Sequence, residues 1–163
     1  MIRPFLHTAC ALIAMALAAC SNFESKFSRE SRAARRDDPY SGTYEGKWIS
    51  KSHPGGNGKL WCILSKQEKS EYLAEFKATW HGVFSSTHSV VLHTRPAVKK
   101  GARPPVLGFD GTAAISMIIG SGTYQCEGRI DGRRLEASYD ATYDRGTFEL
   151  LRVPPADGHA SAH

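Results

Sequence analysis

The stretch Tyr72-Leu73-Ala74-Glu75-Phe76-Lys77-Ala78-Thr79-Trp80 alternates strictly. Tyr72, Ala74, Phe76, Ala78 and Trp80 share one side; Leu73, Glu75, Lys77 and Thr79 share the other. Side chains of an extended chain project to opposite faces with a period of two, so this pattern reads as a strand with one apolar and one wet face. Leu135–Tyr143 repeats it, with Leu135, Ala137, Tyr139, Ala141 and Tyr143 set against Glu136, Ser138, Asp140 and Thr142. A sheet covered on one face only is the antiparallel kind.

Working outward, further strands fall near residues 43–50, 59–65, 84–94, 107–117, 121–130 and 146–153. Turn residues separate them: Pro54-Gly55-Gly56-Asn57-Gly58, Gly120-Ser121-Gly122, Asp131-Gly132 and Asp144-Arg145-Gly146. The longest link, Pro96–Pro105, carries Lys99, Lys100 and Arg103. The fold class is therefore all-β, an antiparallel meander of about eight strands. A flat meander would leave two exposed edges, so a closed up-and-down barrel is expected. A two-sheet sandwich fits the same pattern.

The chain has 163 residues, 41% hydrophobic and 10% aromatic, which favours a folded module over disorder. Residues 40–153 are long enough to bury their own core. The net charge of +5 could favour anionic headgroups or acidic polymers. No basic stripe with interleaved aromatics appears, so nucleic acid is not an expected partner.

The N-terminus reads differently. Arg3 precedes an apolar run from Ala9 to Ala19 that is shorter than the roughly 20 residues a membrane span needs but suits a signal peptide. The run ends Leu17-Ala18-Ala19-Cys20, which resembles the lipobox of bacterial lipoproteins. That resemblance implies cleavage after residue 19, a diacylglyceryl group on the Cys20 thiol and acylation, such as palmitate, on the new amine. Two or more chains make anchoring stable. It also implies a place in the cell envelope. In a Gram-negative host, Ser21 rather than Asp after the cysteine implies the outer membrane, facing the periplasm.

Residues 20–39 then read as a lipidated N-terminus and polar tether. Phe23 and Phe27 are four apart, which permits a short helix. A solvated spacer that lifts the domain off the membrane is the expectation, with a basic segment touching headgroups (Arg32, Arg35, Arg36) as the alternative. Residues 154–163 read as a loose tail, and its His159 and His163 make a poor metal site.

Gly46-Lys47-Trp48 in the first strand and Arg152 in the last resemble the calycin pattern of lipocalins and fatty-acid-binding proteins. The resemblance implies a barrel floor closed by Arg152 packed across Trp48, and a cavity for small hydrophobic molecules. The second and third lipocalin motifs and the C-terminal helix are not seen. Tyr124-Gln125-Cys126-Glu127-Gly128, followed by Leu135–Tyr139, is similar to the opening of the membrane-bound inhibitors of C-type lysozyme, although here it lies near the end of the domain.

The inward aromatics Tyr72, Phe76, Trp80, Tyr124, Tyr139 and Tyr143 either fill the barrel with the alanines or, with Gly46 and Gly128, wall a pocket. Cys62 and Cys126 are the two cysteines left after Cys10 and Cys20. In an oxidising compartment they read as a disulfide, or else as two buried thiols. His81, His88 and His93 read as surface histidines; His88 and His93 fall on opposite faces. No metal-ligand spacing, cofactor motif or Gly-x-Ser-x-Gly elbow occurs, so neither a metal, a cofactor nor an enzyme is expected. Two functions remain: an anchored barrel holding a small apolar or amphiphilic ligand, or an interaction or inhibitor module acting through loops and outer face.

Overall fold

The computed structural model describes residues 22–33, 38–80, 84–97, 104–117 and 120–155. The signal segment, Cys20, residues 156–163, His81 and the lysines and arginine of the 96–105 link lie outside them.

Eight strands follow one another: β1 (Gly42–Ser50), β2 (Asn57–Lys66), β3 (Glu71–Trp80), β4 (Phe84–Pro96), β5 (Leu107–Met117), β6 (Gly120–Ile130), β7 (Arg134–Ala141) and β8 (Asp144–Arg152). Each pairs antiparallel with its neighbour in sequence, and β8 returns to β1. The meander is thus a closed up-and-down barrel, and the sandwich is excluded. Strand parity follows the alternation: Tyr72, Ala74 and Phe76 of β3 are buried together with Tyr124, Cys126 and Ile130 of β6.

Two turns are displaced: Gly120-Ser121-Gly122 already belongs to β6, where Gly120 pairs with Met117, and the β7–β8 turn also shifts. The β7–β8 register pairs Ala141 with Asp144, so Thr142-Tyr143 forms the turn and Asp144-Arg145-Gly146 already belongs to β8. Gly146 is there for packing: a Cβ would collide with the Ile49 carbonyl of β1. Tyr143 consequently leaves the inner wall and is 52% exposed.

Residues 22–32 form the short helix that Phe23 and Phe27 permit, α1, which packs on the outside of the barrel instead of standing solvated. Its partly or fully buried positions are 23, 26, 27, 30 and 31, the spacing of one helical face. Phe23, stacked on Phe27 with ring centroids 6.0 Å apart, is only 8% exposed. Lys26 pairs with Glu75, Lys77 donates to Glu24 at 2.5 Å, and the Ser31 and Thr43 hydroxyls meet at 3.1 Å. Ile63 points outward by parity yet is 1% exposed. An apolar patch on the outer face of the barrel gives the two phenylalanines a place to bury, and that outweighs solvation of an otherwise polar segment.

Candidate functional site

The two ends of the barrel differ. Where β1 starts and β8 finishes, the segment before β1 plugs the opening. Asp38 accepts from Tyr72 Oη and the Ser41 amide, both at 2.7 Å. Burial raises the Asp38 carboxyl, but those hydrogen bonds and the Lys66 charge outweigh it, and the net shift is downward. Tyr44 Oη donates to the Tyr40 carbonyl at 2.5 Å, and Tyr40 Oη donates to the Pro105 carbonyl. Arg152 donates to the carbonyls of Pro39, Ser41 and Gly132, with its guanidinium 6.0 Å over the Tyr44 ring.

The expected Trp48–Arg152 pair is not formed. The β1–β8 register sets Arg152 against Tyr44 and Trp48 against Phe148, four residues further along. Trp48 sits towards the other end and donates Nε1–H to the Thr79 carbonyl at 3.1 Å. Gly46 and Gly128 open no space inside the barrel: a Cβ at Gly46 would meet the backbone of Glu149, and one at Gly128 the backbone of Glu136 and Ala137; Gly128 lines a cleft on the outer face instead.

The middle of the barrel is filled by rings. Phe76 lies 5.5 Å from Phe148 and 5.3 Å from His88; His88 lies 5.2 Å from Tyr124, and Tyr124 lies 5.9 Å from Tyr139. Of the aromatic residues read as pocket lining, Tyr72 is thus part of the plug, Phe76 and Tyr124 are packed core, and Tyr143 is outside. Tyr139 and Trp80 remain half-buried towards the second end.

Among the described residues no segment plugs the second end. Its inward residues Trp48, Ala78, Trp80, Ser86, Ala113, Tyr139 and Ala141 are all half-buried, unlike their buried counterparts nearer the plug. The wall loosens here too. The β4–β5 ladder runs from Pro96↔Leu107 to Leu92↔Gly111 and stops, whereas β3–β4 is paired from Glu71↔His93 to Trp80↔Phe84. His88 lies on the stretch of β4 beyond that stop.

His88 corrects the surface reading. It faces inward opposite Phe76, while His93 is exposed beside Glu71 at 3.3 Å. Burial pulls the His88 imidazole down from its usual 6.5 to about 4, so it is neutral at pH 7. Its Nε2 is buried and, among the described residues, has no hydrogen-bond partner. A buried polar atom left unpaired costs about 1–3 kcal/mol. Only the fold brings out this atom, since its parity with Phe76 depends on the β3–β4 register.

Above this layer, Asp144 accepts from Ser50 Oγ at 2.6 Å and Tyr139 Oη at 2.8 Å, with His53 Nδ1 3.6 Å away. Ser50 gives its proton to the carboxylate rather than to the histidine, so the three form a brace between β1, β7 and β8 and not a nucleophile–base relay.

Cys62 and Cys126 are free buried thiols, so the expected bridge is not made. They project inward from β2 and β6, which lie on opposite walls of the closed barrel. A disulfide needs Cα atoms within about 7 Å. Burial pushes the Cys62 thiol well up and the Cys126 thiol to about 12. Among the described residues no group of three or more His, Cys, Asp or Glu could hold a metal ion.

Two clefts lie on the outside. One of about 480 Å³ runs over β6–β8 and β1 between Lys47, Glu136, Ser138 and Glu149. Another of about 550 Å³ sits between the end of α1 and the plug, beside Arg133, Arg152 and Pro154. Comparison of the chain with family models, with curated proteins and with solved structures finds no match.

Proposed function

We propose that this chain is a lipid-anchored protein of the cell envelope whose barrel takes a small amphiphilic molecule into its open half. The carrying observation is the Nε2 of His88, unpartnered among the described residues and set among Phe76 and Tyr124 beneath an end where Ala78, Ala113 and Ala141 stand between Trp48, Trp80 and Tyr139. A neutral imidazole in aromatic surroundings suits one polar group on an otherwise apolar ligand. The ligand would supply the missing hydrogen bond, and Ala78, Ala113, Ala141 and Trp80 would flank its apolar part. Leu17-Ala18-Ala19-Cys20 supports the anchor, and Ser21 supports the outer membrane in a Gram-negative host.

The rival reading, an interaction or inhibitor module, would act through the loops and the outer face, where the cleft over β6–β8 and β1 lies. Three of its charged side chains are engaged with neighbours: Arg129 pairs with Glu136 at 2.6 Å, and Arg134 at its edge pairs with Glu136 and Glu149.

The test is native mass spectrometry of the domain released from detergent-extracted envelope. A lipid-sized adduct on the wild type that is lost in His88→Leu is expected. A wild-type domain that is always empty would overturn the ligand reading.

A further inference from the structure

We infer that the open end of the barrel rests on the bilayer surface, so that the mouth beside His88 faces the membrane. The inference rests on the proposed anchor at Cys20. It adds an orientation that the lipobox alone does not contain.

The direction of α1 carries the argument. Glu24, near its start, pairs with Lys77; Lys26 pairs with Glu75; Ser31, near its end, meets Thr43. Along β3, Lys77 lies nearer than Glu75 to Trp80 at the open end, and Thr43 is the second residue of β1, at the plug. The helix therefore runs from the open end towards the plug. Only Ser21 separates Cys20 from the first helical residue. An extended chain gains at most about 3.6 Å per residue, so the lipid chains are held close to the mouth.

The surfaces of the two ends match this orientation. At the open end Trp80 stacks on Phe84 with centroids 6.1 Å apart; Phe84 is 54% exposed, and Tyr143 and Ile49 are exposed beside the same rim. Exposed Lys51 lies on the turn after β1 and exposed Arg145 among the first residues of β8. Aromatic rings with basic neighbours favour the membrane–water interface. The β2–β3 turn at the plugged end presents Lys66, Gln67, Glu68, Lys69 and Ser70, all exposed and none apolar. An amphiphile from the bilayer would then enter without crossing water.

The test uses the full lipidated chain in vesicles of phosphatidylethanolamine and phosphatidylglycerol. A polarity-sensitive dye is attached to Tyr143→Cys at the open end or to Lys69→Cys at the plug; buried Cys62 and Cys126 stay unlabelled. Blue-shifted, brightened emission at position 143 but not at 69 is expected, reduced when Phe84→Ser is added. Equal emission at both positions in protein that floats with the vesicles would overturn the orientation while leaving the anchor intact. Protein that fails to float with Cys20 present would overturn the anchor, and the orientation with it.

Discussion

The guanidinium of Arg152 lies over the ring of Tyr44 at 6.0 Å and ties together three backbone carbonyls, those of Pro39, Ser41 and Gly132. One side chain thus joins the segment entering β1, the β6–β7 turn and the last strand. Removing it leaves several carbonyls without a donor. Arg152→Ala should lower stability by about 2–4 kcal/mol, and Arg152→Lys should recover only part, because an ammonium lacks the planar fork that reaches several carbonyls at once. Urea unfolding midpoints at unchanged slope check this.

His88 should make the barrel acid-sensitive. Its folded value, about 4, lies below the ordinary 6.5 because burial disfavours the charged form. Below pH 6.5 the unfolded chain takes up a proton that the folded barrel refuses. The stabilisation is complete above 6.5 and falls as pH drops towards 4, by about 1.4 kcal/mol per unit. His88→Leu should abolish that slope between pH 6.5 and 4 and, at pH 7, stabilise the empty domain by about 1–2 kcal/mol. Thermal melts across the pH series read both effects. A slope retained in the variant would assign the acid sensitivity to other groups.

Cys62 and Cys126 should ignore redox conditions. Burial holds both thiols protonated at neutral pH, and a thiol must ionise to react. Iodoacetamide should modify neither in the native domain and both in urea. The melting temperature should not change with reductant, whereas a bridged protein would lose several degrees.

Phe23 should matter to the barrel although it lies outside the strands. With its ring on Phe27 and only 8% exposed, it anchors the helix. Phe23→Ala should cost about 2–3 kcal/mol, at the low end for a buried ring because the patch can partly re-wet. It should also speed hydrogen exchange of the α1 amides without affecting β5–β7.

How far the chain could be read depended on the range of the interaction. Alternation along Tyr72–Trp80 and Leu135–Ala141 records which face each side chain takes, and that is decided within one strand. It was enough to derive the meander and, through the cost of free edges, to favour closure; a sandwich fits the same pattern, and only the β8–β1 pairing excludes it. The register between strands is another matter. Arg152 meets Tyr44 and not Trp48 because of how β8 slides against β1. Tyr143 leaves the wall because the β7–β8 turn closes two residues early.

Helix α1 and His88 lie beyond local reading for the same reason. Ser21–Pro39 looks like a spacer until the outer face of β2 and β3 offers Ile63 and Lys77 as a surface. His88 looks like one of three scattered histidines until closure turns it towards Phe76 and Tyr124. Strand identity and order follow from short-range periodicity, which any window of the chain contains. The plug, the unpartnered imidazole and the direction of the helix follow from contacts between residues tens of positions apart, which exist only once the barrel has closed.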